Sequence, residues 1–300
     1  MKLSKNIIGL ILGPFFFSLI LLFFDAEGLS IEAKCILAST VWMAVWWVTE
    51  CVPISVTALL PIVLFPLTGG LDLATTTAAY GHKLVFLFVG GFMIALAIEK
   101  WRLHKRLALN IIRMTGSNKS RVILGFMLAT AFLSMWISNT ATSIMILPVG
   151  LAIISQLKDD PNTKENENEI FGKSLMIAIA YSASIGGMAT LIGTPPNMVL
   201  AGVVEESYGI KLNMFDWMKF GVPLSSFLLM ICWIYLTKIA FNFKNEEFSA
   251  GRDEIIRQLK KLGKFSNEEI KVLIVFILTA LGWILRGSIE TVSYTHLRAH

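Results

Sequence analysis

The sequence predicts an all-α polytopic membrane protein. Three observations carry that reading. Of the 300 residues, 55% are hydrophobic and 16% are charged, where a soluble domain carries about 25% charged residues. The mean hydropathy is +0.68. Uncharged apolar runs recur along the whole chain, and a hydrocarbon core of roughly 30 Å takes about 20 such residues per helix.

Charges cut the chain into spans. Residues 6–24 are 19 uncharged residues behind Lys2 and Lys5. No small-residue cleavage site follows them, so they read as a transmembrane helix rather than a signal peptide. Residues 35–49 and 51–71 flank Glu50, with "TECVP" as a tight turn. Residues 84–98 are the fourth span. An uncharged run follows at 122–157, then the polar loop "KDDPNTKENENE", a second long run at 174–204, a span at 220–237 and an apolar run from 272 to 285. Trp42 and Trp46 stand one turn apart beside Trp47 and read as packing and interface residues. Cys35, Cys51 and Cys232 are scattered, as are the histidines. No nucleophile, paired acid or metal-ligand spacing appears, so neither an enzyme nor a nucleic-acid binder is expected.

Loop charge sets the orientation. Residues 100–121 carry seven Lys or Arg and no acid, and 238–271 are rich in Lys, whereas the loops at 25–34 and 205–219 are acidic or balanced. Basic loops stay in the cytoplasm. A cytoplasmic N-terminus puts both basic segments inside, provided the run at 122–157 enters and leaves on one side.

That run is 36 residues long. As one helix it would measure roughly 54 Å, too long for one span, and two spans with a turn would need about 40 residues or more. Its polar centre, "WISNTATSIMILP", holds Ser138, Asn139 and Thr140, with 16 residues of the run before the triplet and 17 after it. Arms of that length suit a re-entrant hairpin with the triplet at its tip. The alternative is one tilted span with a flanking interfacial helix, its Ser and Thr serving as packing glue. The topology favours the hairpin. The second long run contains "GTPPN". Proline removes a donor and pushes the residue before it out of the helical region, so a helix reaching Ile192 breaks there; a proline kink is the milder alternative.

Interrupted helices at membrane depth mark ion and substrate sites in secondary transporters. Ser, Asn, Thr and open backbone provide both oxygens for a hard cation and donors for an anion. No Asp or Glu lies in 122–157 or 174–204. A proton-coupled carrier more often keeps an intramembrane carboxylate, so the pattern leans toward sodium and an anionic substrate. Glu50, at the expected cytoplasmic turn, reads as a hydrated interfacial acid, with a proton relay as the alternative. The segment "EKWRLHKRLALNIIR" is amphipathic: Leu103, Leu107, Ile111 and Met114 mark one face, Arg102, Arg106, Asn110 and Arg113 another. It reads as an interfacial anchor with its basic face toward headgroups, or as an arm linking two domains.

"SNTATSIMILP", "GTPPN", "WWVTECVPISVTALLP" and "GFMIALAIEKWRLHKRLAL", in their order and separations, resemble the divalent anion/sodium symporter family, which carries dicarboxylates, citrate or sulfate. The resemblance runs over about 31–237. It implies inverted repeats, each with a re-entrant hairpin and a proline-broken helix, in a homodimer of the inner (plasma) membrane that works by an elevator motion. It implies sodium ligands at Ser134, Ser138, Asn139 and Gly193, and substrate contacts at Asn139 and Thr140. Thr194 and the backbone at Pro195 would shape the loop closing the site. The expected substrate is a C4-dicarboxylate; sulfate or citrate, and a proton-coupled or exchanging carrier of the same fold, are the alternatives.

The chain then divides into scaffold spans (1–98), a cytoplasmic surface helix and linker (99–121), the hairpin (122–157) and a cytoplasmic loop (158–173). A broken helix and following span of the transport domain (174–240), a cytoplasmic connector (241–271), the start of a second repeat (272–290) and a non-native tail (291–300) complete it. The family's second Ser-Asn-Thr hairpin is absent: "SNKS" and "SNEE" lie in charged stretches. The expectation is that this chain is the first half of a symporter, a fragment unable to transport by itself.

Overall fold

The computed structural model describes residues 5–116, 118–155, 167–243 and 249–297, and no strand occurs among them. Five helices among the described residues are long and apolar enough to cross a membrane: Asn6–Phe23, Ile31–Thr49, Leu73–Lys100, Glu169–Gly187 and Met214–Ala240. The described residues form two compact units, the first ending at Phe86 and the second beginning at Leu87.

The first unit holds α1 (Lys5–Phe23), α2 (Ile31–Thr49), α3 (Ile54–Thr57), α4 (Leu60–Thr68) and α5 (Leu73–Tyr80). α1 and α2 pack closely because Gly9 and Gly13 have no side chains. A Cβ at Gly13 would lie 2.5 Å from Trp42 Cδ1 and 2.6 Å from Trp46 Nε1. The Trp42 and Trp46 rings meet edge to face at 5.4 Å, so both are packing residues. Glu50 ends α2 in the left-handed region, φ 47°, at the turn expected there. The span expected over 51–71 is not one helix. It breaks between α3 and α4, where Pro61, at the second position of α4, has no N–H for the Thr57 carbonyl. The span expected from 84 begins as α6 (Lys83–Lys100), with α5 before it and Gly81 between them.

Most of α6 belongs to the second unit, followed by α7 (Leu103–Thr115), α8 (Lys119–Ser134), α9 (Asn139–Ile154), α10 (Glu167–Gly187), α11 (Pro195–Tyr208), α12 (Met214–Ile234), a short π-helix at Tyr235–Ala240, α13 (Ser249–Leu262) and α14 (Asn267–Leu297). The described part of the run at 122–157 is therefore two helices joined by a turn, not one continuous helix. α8 and α9 have 16 residues each, about 24 Å of helix, short of a bilayer core. Both arms pack against α10. One core joins Phe126, Ile146, Val149, Phe171, Leu175 and Ile179 from these three helices. A second seats the turn residue Ile137 with Ala95 and Ile98 of α6 and Phe276 of α14.

Three of the expected segments contain helix in their described parts. Of the loop expected over 158–173, residues 158–166 lie outside the described part, and α10 already runs from Glu167. The connector at 241–271 contains α13, which packs on α7 and α9; residues 244–248 of it lie outside the described part. The tail at 291–300 is helical as far as Leu297, as the end of α14, with 298–300 outside the described part.

α7 differs most from an interfacial anchor. Its apolar side, with Leu103, Ala108, Leu109 and Ile112 fully buried, is covered by protein, with α8 and α13 as neighbours. Arg106, expected to face headgroups, is 6% exposed. Its Nε and Nη2 meet Glu269 Oε1 and Oε2 at 3.0 and 3.1 Å, and its Nη1 donates to the Gly263 carbonyl at 3.0 Å. The Phe265 ring lies 4.3 Å from the guanidinium carbon. Glu269 also closes a capping box: the Ser266 amide donates to Oε2 at 2.8 Å, and the Glu269 amide donates to Ser266 Oγ at 3.1 Å. Arg102 and Arg113 remain exposed.

Burial raises the Glu269 pKa, but the hydrogen bonds from Arg106 and Ser266 and the Arg106 charge outweigh it, leaving the carboxyl below its ordinary 4.5. A depressed carboxylate contributes stability above its unfolded pKa and loses it as pH falls through the folded value. Removing one partner of a buried, bidentate pair costs about 3–5 kcal/mol. We expect Arg106→Ala to lower the melting temperature in detergent at pH 7. The difference from the parent should shrink as pH is taken well below 4.5, which a melting series against pH measures.

Candidate functional site

Of the expected tip triplet, only Ser138 lies in the turn, which Met135, Trp136 and Ile137 otherwise make; Asn139 and Thr140 open α9. The reason is capping. Ser138 sits at φ −55°, ψ 147°, just outside the helix, with its hydroxyl turned to the Ala141 amide at 3.4 Å. The amides of Asn139 and Thr140 begin the helix and have no intrahelical partner. The opening of α9 thus presents open N–H donors beside the exposed Thr140 hydroxyl, with the positive end of the helix dipole behind them.

The break in the next segment is longer than the sequence suggests. α10 stops at Gly187, not Ile192, and residues 188–194 are non-helical. Two glycines bring α10 against the hairpin. A Cβ at Gly186 would run into the Ala131 backbone, and one at Gly187 would collide with Asn139 Oδ1. Only glycine permits such contact. Carbonyls freed by the break are taken up by side chains: Asn197 Nδ2 donates to Gly187 at 3.0 Å and to Thr190 at 2.7 Å, and Trp217 Nε1 donates to Met188 at 2.9 Å. Ser225 Oγ reaches back to Ile185 at 2.8 Å.

Around Gly187 three of the expected sodium residues come together. Ser134, fully buried, places its hydroxyl 2.8 Å from Asn139 Oδ1 and 2.6 Å from the Ala183 carbonyl. Asn139 packs on Gly187, and a Cβ at Gly193 would lie 2.9 Å from Gly187 Cα. Ser138 stands apart from this group as the cap of α9. The group is rich in oxygen: one hydroxyl, one amide oxygen and the backbone of a helix end, with no carboxylate in either run. One hydroxyl proton faces two acceptors, so turning that hydroxyl gives a small hard cation three neutral oxygens. The residues present fit such a cation.

The second helix start is unlike the first. α11 begins with Pro195 and Pro196, neither of which has an N–H, and the Asn197 amide is turned to Thr194 at 3.2 Å. Thr194 is extended, φ −148°, and its side chain makes no cap bond. This end can offer an anion the Thr194 hydroxyl but almost no backbone donors; Pro195 is exposed and contributes shape. Asn197 stands out in the sequence as the polar residue behind the two prolines; Thr190, which organises the break with it, was not singled out by sequence reasoning.

Adding a methyl to Gly187 displaces the Asn139 amide. We expect Gly187→Ala to destabilise the chain by about 1–3 kcal/mol, read as a drop in melting temperature in micelles. Gly90→Ala, whose Cβ meets open space in α6, should leave the temperature unchanged or raise it.

The chain is similar to known transporters. The chain is 45% identical over 285 residues to the sodium-dependent dicarboxylate transporter SdcS of Staphylococcus aureus (strain bovine RF122 / ET3-1), covering 94% of this chain and 55% of that protein. It is 44% identical over 283 residues to the protein of the same name from Staphylococcus saprophyticus subsp. saprophyticus, covering 94% and 54%. Both relatives are transporters, not enzymes. The chain spans about half the length of the curated relatives it matches. The model of the citrate transporter family matches residues 44–295, taking in the hairpin, the broken helix and α14. This chain, a multi-pass membrane protein by its apolar helices, belongs to the citrate transporter family.

Proposed function

We propose that this chain forms an ion- and anion-binding half of a sodium-coupled dicarboxylate carrier of the cytoplasmic membrane. The observation that supports this most is the Ser134–Asn139–Gly187–Gly193 group beside the open amides of α9. Sodium, when bound, supplies a positive charge between the hairpin and the helix break. Ser134 Oγ and Asn139 Oδ1 hold it, and the backbone at Gly193 closes one side. Ser138 contributes by capping α9. Asn139 and Thr140, at the start of α9, donate to one carboxylate of the substrate, and the Thr194 hydroxyl adds a donor from the loop that Pro195 shapes.

The relatives' name, sodium-dependent dicarboxylate transporter, supports sodium as the coupled ion and a dicarboxylate as the cargo. We take that cargo to be a C4-dicarboxylate. In this reading the chain supplies the first of two inverted repeats of a homodimer. The hairpin and α10–α12 form the moving part of an elevator, 1–98 the scaffold, and α7 the arm between them. The hairpin enters and leaves the bilayer on the cytoplasmic side, where the N-terminus also lies.

The test is uptake of labelled succinate by cells expressing the complete reading frame that encodes this chain, in sodium and in choline buffers. Saturable uptake that needs sodium is expected. Asn139→Ala should reduce it by about 10- to 100-fold, since the donor and the acceptor of a half-buried side chain are lost together. Uptake that persists in choline and rises with acidity would replace sodium by protons. Inhibition by sulfate or citrate but not by succinate would change the cargo. Normal sodium-dependent uptake by the Asn139→Ala protein would sink the assignment of the site.

A further inference from the structure

The turn between α8 and α9 and the break between α10 and α11 lie far apart in sequence, and one side chain joins them. Thr190 is fully buried. Its hydroxyl donates to the Met135 carbonyl at the end of α8 and accepts from the Gly193 amide at 3.0 Å. Met135 stands where α8 stops and Gly193 lies inside the break, so regular helix supplies the needs of neither segment. The Thr190 carbonyl is in turn held by Asn197 Nδ2 at 2.7 Å, and the same nitrogen holds the Gly187 carbonyl at 3.0 Å. Gly187 is the residue on which Asn139 packs. Met135, Thr190, Asn197, Gly187 and Asn139 therefore form a closed circuit, from the turn through the break and back to the start of α9.

We propose that Thr190 is a positioning residue that latches the hairpin turn to the helix break, so that both halves of the site bind and move as one body. The inference rests on the carrier reading above. Thr190 is not placed as a ligand of ion or substrate. Its effect on affinity comes through the population of the assembled site: when only a fraction of molecules is assembled, the apparent dissociation constant rises by the inverse of that fraction. Valine has the shape of threonine and neither donates nor accepts, so Thr190→Val leaves the Met135 carbonyl and the Gly193 amide without their shared partner. Thr190→Ser keeps both bonds.

Two measurements test the latch. Amide hydrogen exchange on the purified chain in micelles reads the segments 135–138 and 188–193 separately. T190V should speed exchange about tenfold or more in both segments together, while T190S stays near the parent. Sodium activation of succinate uptake, in cells expressing the complete reading frame, should show the half-saturating sodium concentration raised by a similar factor in T190V. The maximal rate at saturating sodium should hold, and T190S should restore the parent value. A purely structural role would lower the amount of folded protein and leave the half-saturating concentration unchanged. Should T190V not be recovered folded, T190C, with its weaker donor, should give about a threefold effect in both readouts. Faster exchange in one segment alone, or an unchanged sodium requirement with sodium-dependent uptake intact, overturns the latch. Uptake that ignores sodium in the parent overturns the carrier reading instead, and the paired exchange result then decides the latch by itself.

Discussion

Carbonyls released where a helix stops inside a membrane protein have no water to turn to, and the break at 188–194 depends on four side chains that answer them. Asn197, Trp217, Ser225 and Thr190 each bond backbone at or beside the break or the hairpin turn. Non-helical backbone at membrane depth is tolerated only when protein or a lined cavity satisfies it. Everything else about the site follows from meeting that demand. The break is long because its carbonyls have been captured individually. A break held in this way keeps Gly193 against Gly187, and Gly187 against Asn139.

The two helix starts divide the chemistry. α9 opens with unpaired amides behind a serine cap, an arrangement that favours negative charge. α11 opens with two prolines, which withdraw donors from its first turn. Between them lie the oxygens of Ser134 and Asn139 and the backbone of the α10 end. A neutral site with donors on one side and acceptors in the middle suits an anion and a cation together, without a buried carboxylate that would compete for the cation or repel the anion. Glycine is the condition for this closeness, since a methyl at Gly187 would occupy the place of the Asn139 amide.

The Arg106–Glu269 pair holds α7 to the turn between α13 and α14. Arg106 reaches the carbonyls at the end of α13 as well as the carboxylate at the start of α14. One guanidinium thus caps one helix and neutralises the charge that caps the next. A helix that sequence alone places on lipid headgroups is instead a structural strut, and its exposed Arg102 and Arg113 are what remains of a surface face.

The sequence by itself determined the class of protein and the two interruptions. Uncharged runs of span length admit no other solvent than a bilayer. Thirty-six uncharged residues with a polar centre are too long for one helix, and two adjacent prolines cannot continue one. The motifs around Asn139 and Gly193 were legible too, because Ser, Asn and Gly have little reason to sit in an apolar run unless the backbone needs them. Tertiary structure alone decided which atoms meet. That Asn139 and Thr140 already belong to a helix, with only Ser138 left in the turn, depends on Ser138 finding the Ala141 amide. That α10 ends at Gly187 depends on Asn197 and Trp217 arriving from later in the chain, and that Arg106 is buried depends on Glu269, 163 residues away. Periodicity and turn chemistry are local and survive in one dimension. Hydrogen bonds between distant segments are set by the packing that brings them together, and no single stretch of sequence records them.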